Sequence, residues 1–373
     1  MSTHTHSLNF SRWALPALTV AAIVAGCSSK PTLSPDVTPI GSGSPITKAQ
    51  SRWIPDSWSN LPGFQQDSVS QAWGAWMRTC QRPSANFASV CRSAAAMSSA
   101  SDADKRAWMV RHLQPYRVEA HNGSAQGLLT SYYEPVLQGS RLPTATYRFP
   151  LHAVPLGGAP RGPWFTRQQI ESTAAGQAAL RGREIAYMAN PIDVMILHIQ
   201  GSGRMQIQEP NGSTRAIRLA YAGTNNHTFR SPSAYISARG GRVGNWDTVR
   251  VWSAQNPSLT TPMLQHNPRY VFFREENIPT NEADSGPKGA AGVPLTPGRS
   301  IAVDPGSIPY GSAVWLASTG PVATIQRMVV AQDTGNAIRG AVRADYFAGW
   351  SQQAADLAHA MKQPLRLWVL WPK

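Results

Sequence analysis

"QRMVVAQDTGNAIRGAVRADYF", residues 326–347, starts as an apolar run and ends on an aromatic one, with a Gly- and Arg-rich bend between. Asp333 closes the run and Asp345 follows the bend, two of only 20 acidic residues among 373. The β-branched run 326–333 reads as a strand. Twelve extended residues would span about 40 Å. Gly335, Gly340 and the lack of apolar alternation between them indicate instead that the chain doubles back, so both aspartates can face one site. Working outward, "SIAVD" (300–304), "AVWLAS" (313–318) and "LRLWVLW" (365–371) read as further short strands, with a helix over 351–361. Short strands with many turns argue for barrels rather than a parallel doubly wound sheet.

The same texture extends upstream. "GLLTSYYEPVLQGS" (127–140) is β-rich, and "REIAYMA" and "IDVMILHIQGSG" (192–203) read as strands. "RMQIQEPNGSTRAIRLAYAG" (204–223) reads as a hairpin turning at Asn211-Gly212. Thr166 to Gln169 matches a capping box. Helices are expected over 232–239, bracketed by Ser231-Pro232 and Gly240, and over 246–254, with a strand at 270–273. The Gly/Pro-rich 278–298 looks like a connection between domains. Ahead of all this, Val69, Trp73, Trp76 and Met77 recur at helical spacing, and 104–113 is a second helix, giving a helical opening.

The first residues are not fold. Arg12, an apolar stretch over 13–25 and Ala25-Gly26-Cys27 form a signal peptide of lipoprotein type (1–26), with cleavage before Cys27 and a lipid on its thiol. Ser28 resembles outer-membrane sorting. Residues 27–50, rich in Ser, Thr, Pro and Gly, read as a flexible tether. Only 14% of residues are charged, yet the balance is +14, and removing the leader's one Arg leaves +13. Such a surface suits anionic partners outside the cytoplasm, carboxylate-rich wall and anionic lipid among them, and export argues against nucleic acid. Cys80 and Cys91 either close a small disulfide loop or stay as buried thiols. No metal-ligand spacing such as HExxH is present, so neither metal nor cofactor is expected.

Asp304 precedes Pro305-Gly306, and Asp333 precedes Thr334-Gly335; each can be a turn former as readily as a functional carboxylate. Chemistry on a glycosidic bond needs an acid still protonated near neutral pH, which apolar surroundings or a nearby like charge supply. Asp345 has Tyr346, Phe347 and Trp350 beside it, though Arg339 and Arg343 would act in the opposite sense. "QGSGRM" (200–205) ends in a tight turn, and "YAGTNNHTFRS" (221–231) is a polar loop suited to sugar hydroxyls and amides.

Taken together, "GLLTSYYEPVLQGSR", "ILHIQGSGRM", "LAYAGTNNHTFRS", "NPRYVFF", "GVPLTPGRSIAVDPGSIPYGSAVWL" and "QDTGNAIRGAVRADYFAG" resemble, in order, the membrane-bound lytic murein transglycosylase A family, whose C-terminal domain is named for three aspartates. Ser131 stands where the family often has Gly. The resemblance implies a mainly β protein with N-terminal helices: a double-psi β-barrel catalytic domain, discontinuous over 51–137 and 279–373, with a second β-barrel domain inserted at 138–278. It implies cleavage of the β-1,4 bond between N-acetylmuramic acid and N-acetylglucosamine in peptidoglycan glycan strands, with 1,6-anhydromuramic ends formed without water. Asp345 would be the single acid/base, Asp333 its ionised support and Asp304 a loop organiser. Gln200, Gly201, Ser202, Tyr221 and Asn225 would contact the glycan. A hydrolytic muramidase on the same fold and a non-catalytic wall-binding lipoprotein are the alternatives. The setting implied is the outer membrane, lipid-anchored and facing the periplasm, with wall-synthesis proteins as candidate partners.

Overall fold

The structure, a computed structural model, describes residues 43–278 and 285–373. The leader, Cys27 and most of the tether lie outside the described residues. The tether ends sooner than residue 50: strand β1 (Ile46–Thr47) pairs with β2 (Arg52–Pro55), and Gln50 N donates to Gly306 O at 3.0 Å. Three helices follow, α1 (Val69–Cys80), α2 (Ala88–Ala95) and α3 (Asp102–His112), then β3 (Leu113–Glu119) and β4 (Gly127–Tyr132).

After a long excursion the chain returns as β11 (Ser300–Val303), β12 (Ala313–Thr319), β13 (Thr324–Asp333), β14 (Arg343–Phe347), a helix (Gln352–Ala360) and β15 (Lys362–Pro372). The strand order β4-β15-β12-β13-β11-β14 closes on β4, because β14 pairs with β4 in parallel and β15 pairs with it antiparallel. The result is a six-stranded closed barrel of mixed direction, as the expected double-psi barrel requires. Both faces of β11 and of most of β12 are buried. Val314 and Leu316 of β12, with Leu365, Leu367 and Val369 of β15, fill the barrel interior. Trp315, Trp368 and Leu370 point the other way, onto Trp73, Trp76, Trp108 and Met109 of the helical opening. Each large side chain so enclosed stabilises the fold by about 1.5–3 kcal/mol. Cys80 and Cys91 are bonded, joining the end of α1 to α2 across a sequence separation of 11.

The excursion holds the second sheet: β5 (Val136–Ser140), β6 (Phe149–His152), β7 (Glu184–Met188), β8 (Ser202–Gln208), β9 (Thr214–Thr224) and β10 (Val271–Asn277), in the order β10-β9-β8-β5-β7-β6. It curls, since Leu151 from one edge and Phe273 from the other share one core with Met205, Ile217 and Leu219. The Asn211-Gly212 hairpin forms as expected, with Gln208 opposite Thr214 and Gly212 at φ 82°. One reading fails. "IDVMILHIQ" is a helix, Pro191–Gln200, capped by Asn190 Oδ1 on Ile192 N at 2.8 Å and ended by Gly201 at φ 78°. Val194 and Leu197 enter the sheet's core while Ile192, Met195 and Ile196 enter another, so the helix is apolar on two faces and its period is blurred.

The two crossings between the sheets meet at one buried carboxylate. Glu134, 0% exposed, receives Arg218 Nε at 2.7 Å and Arg204 Nε at 2.9 Å. Both guanidiniums also donate to Ser285 O on the returning chain, at 2.7 and 2.9 Å, and Arg204 lies 3.8 Å over the Trp350 ring.

Candidate active site

The strand β14 lies between β11 and β4, and the pairing puts four residues in one row: Thr130 opposite Asp345, Asp345 opposite Ala302, and Ala302 opposite Asp333. Residues opposite each other project from the same face, so the two carboxylates stand on one surface with only a methyl group between them. Two strand spacings put their Cα atoms about 10 Å apart. The row exists because the register shifts: Ile301 faces Ala331, but Ala302 faces Asp333, skipping Gln332. A bulge of this kind re-aims a side chain. Gln332, fully buried, is held on the other side, where Nε2 donates to Ala75 O at 2.7 Å and Thr79 Oγ1 at 2.8 Å. Its Oε1 accepts from Ser300 Oγ at 2.6 Å. The last turn of α1 thereby fixes the residue before Asp333.

Asp345 Oδ1 accepts a 2.5 Å hydrogen bond from Thr130 Oγ1, which accepts in turn from Arg343 NH2 at 2.8 Å. Burial pushes the Asp345 carboxyl up to about 6, outweighing the Thr130 hydrogen bond and the Arg343 charge, while the Asp333 charge adds to the rise. Asp333 accepts from Tyr132 OH on Oδ2 at 2.8 Å and from Ala290 N on Oδ1 at 3.0 Å. Burial raises it above the ordinary carboxylate value too, against the lowering effect of the Tyr132 hydroxyl and the Thr334 and Ala290 amides. Asp333 thus has three donors favouring its ionised form where Asp345 has one. Tyr132 stays a donor, its hydroxyl driven well above 10 by burial and then by the two aspartates.

Asp304 takes no part in the row. Its Oδ1 accepts from Gly306 N and its Oδ2 from Gly340 N, both at 2.9 Å, so it ties the turn after β11 to the bend before β14. Gln200, at the end of the helix Pro191–Gln200, comes up just past the end of β4, where its Oε1 accepts from Tyr133 N at 3.2 Å. Gly201 is that helix's left-handed stop, and Ser202, buried, pairs with Ala220. Tyr221 is 49% exposed on β9. Asn225 departs from the expectation. It is 0% exposed, its Nδ2 donates to Phe165 O and Pro268 O, and its Oδ1 accepts from Tyr270 N, all at 2.8 Å. Every polar atom of the side chain is engaged inside the insert, which leaves none for a glycan.

Thr130, Tyr132 and the Ala290 amide were not singled out from the sequence, whereas Arg343 was, as a charge that lowers the Asp345 carboxyl. Thr130 and Tyr132 sit two apart on a strand, hence on one face, and that alternation within "LLTSYYEPV" is the signal that could have found them. Ser131 between them points the other way, donating to Tyr346 O at 2.8 Å.

A barrel carrying such a carboxylate row has the groups acid/base chemistry requires, and the comparisons with known proteins give the chain's family. The MltA specific insert domain matches residues 128–274 and the 3D domain matches 299–371. Membrane-bound lytic murein transglycosylase A of Escherichia coli K12 is 26% identical, over 94% of this chain and 93% of that protein. Among solved structures, the lytic transglycosylase LtgG of Burkholderia pseudomallei is 38% identical with a TM-score of 0.60, covering 90% of this chain and 100% of that one. MltA from Neisseria gonorrhoeae is 28% identical with a TM-score of 0.73, covering 90% and 96%. The chain belongs to the membrane-bound lytic murein transglycosylase A family.

Proposed function

We propose that this peptidoglycan lytic transglycosylase cuts the β-1,4 bond between N-acetylmuramic acid and N-acetylglucosamine with Asp345 as its one acid/base. The observation that carries the reading is the row in which Asp345, with its carboxyl at about 6, faces the same surface as Asp333, the carboxylate with more donors. Protonated Asp345 donates to the glycosidic oxygen as the bond from muramic C1 to that oxygen breaks. The C6 hydroxyl of the same muramic residue then bonds to C1 and returns its proton to Asp345. One 1,6-anhydro end and one free 4-hydroxyl result, with no water consumed. An internal nucleophile needs no second base, because proximity does that work. Asp333, held by Tyr132 and Ala290, supplies negative charge beside the positive charge developing at C1.

Gln200, Gly201, Ser202 and Tyr221 remain the proposed glycan contacts. Residues 51–137 with 279–373 are read as the catalytic domain and 138–278 as the insert. The relatives' membrane-bound names and the Cys80–Cys91 bond support a lipid-anchored enzyme on the outer membrane, facing an oxidising periplasm. Among the described residues no helix is long and apolar enough to cross a membrane.

Mass spectrometry of the products from purified sacculi tests the reaction. Anhydro ends one water lighter than hydrolytic products are expected, and Asp345→Asn should abolish them while sacculus binding persists. Reducing ends as the main product would establish a muramidase instead, and binding without any cleavage by the unaltered enzyme would establish a wall-binding protein.

A further inference from the structure

Arg269 precedes β10 and leans across to the bend that joins the two aspartates. With the Asn336 amide oriented by its hydrogen bonds, NH1 and NH2 of Arg269 reach Asn336 Oδ1 at 2.5 and 2.9 Å, and NH1 reaches His227 O at 3.5 Å. All of these acceptors are neutral. Among the described residues no carboxylate forms an ion pair with Arg269. The guanidinium is half-buried, and burial weakens its hold on the proton, the mark of a cation short of a counter-charge. The exposed Tyr221 lies close enough for its hydroxyl to be felt at Arg269. A second arginine stands beside it: the backbone amides of Arg230 and Arg269 both donate to Asn267 Oδ1 at 3.2 Å, and Arg230 is exposed.

We infer that Arg269, with Tyr221 and Asn336, forms a subsite for a carboxylate of the peptide carried on the muramic residues of the glycan. The inference rests on the peptidoglycan reading above and adds a contact to the stem rather than to the sugar. Asn336 Oδ1 acts as a neutral placeholder. A carboxylate makes a charge-assisted, two-pronged bond to a guanidinium that is roughly twice as strong as one to an amide oxygen, so it displaces Asn336 and opens the contact between insert and bend. Arg230 adds long-range attraction, and the flat face of Tyr221 offers a surface to the neighbouring sugar or peptide carbons. Arginine suits this task better than lysine because its fork matches a carboxylate's two oxygens.

Affinity is measured in the Asp345→Asn background, where the glycan stays intact, using soluble strands with their peptides and strands stripped of peptide by an amidase, the lactyl carboxyls so exposed being then converted to amides. Arg269→Ala should weaken binding of peptide-bearing strands about tenfold, as loss of a charge-assisted pair predicts, and leave stripped strands unchanged. Arg269→Lys should recover part of the loss, and raising salt should shrink the wild-type preference for peptide-bearing strands. An equal loss on both substrates, or no loss on either, overturns the subsite. Because this readout is binding, it stands apart from the cleavage reading, whose failure would show as missing anhydro products from the unaltered enzyme.

Discussion

Replacing Asp345 with Asn should stop cleavage and, at neutral pH, make the protein more stable. The folded protein holds this carboxyl at about 6 against an ordinary 3.8, chiefly through burial. About two pH units of upward shift correspond to about 2–3 kcal/mol against the ionised form. The sign follows from which state binds the proton better. The folded state does, so the stabilisation from that proton is complete below 3.8 and lost as pH rises through about 6. Asparagine is neutral throughout and still offers an oxygen to Thr130. Its advantage should therefore be near zero at pH 4, grow between 4 and 6, and level off above. Urea unfolding at pH 4 and pH 7.5, with unchanged m-values, measures it directly. An Asp345→Asn variant no more stable than the parent at pH 7.5, or a gap that fails to close on acidification, would refute the claim that Asp345 carries an expensive charge.

Three further outcomes follow from the same geometry. Cleavage rate should fall about tenfold per pH unit above 6, and Thr130→Val, which removes the donor favouring ionised Asp345, should move that limb up by about one unit while Thr130→Ser leaves it in place; initial rates from pH 4 to 8 decide. Joint Cys80→Ser and Cys91→Ser replacement should cost about 2–3 kcal/mol in unfolding free energy yet spare kcat at low temperature, because Gln332 is held by Ala75 O and Thr79 Oγ1, hydrogen bonds that do not involve either sulfur. Gln332→Ala should cut kcat by more than about tenfold with KM little changed, since the bulge that turns Asp333 toward Asp345 loses three hydrogen bonds; normal kcat in that variant would dissociate the bulge from function.

Five of the six barrel strands were legible because they carry apolar runs bounded by turn residues, and the helical opening because Val69, Trp73 and Trp76 keep a clean period. The helix Pro191–Gln200 was not, since it packs into two cores and apolar residues on more than one face blur the helical period. Strand β14 escaped notice for the opposite reason: "RADYF" is too short and too charged to alternate. At the site, the sequence pointed to Asp333 and Asp345 but not to how they meet. That depends on a one-residue register shift, which propensity cannot encode, because it is imposed by Gln332 reaching a helix more than 250 positions away in sequence. Asn225 misled because a polar loop composition looks the same whether its amides face sugar or backbone carbonyls.

Glu134 has a meaning for the chain's history as well as its packing. The strand leaving the barrel and the segment returning to it are gripped by the same two arginines, so the excursion begins and ends at one point. To the barrel, everything beyond that point is a single loop whose ends are already together, and lengthening such a loop costs little extra closure entropy. The insert is in that sense a cartridge. Its residues can change while the six strands that hold the carboxylates keep the same neighbours.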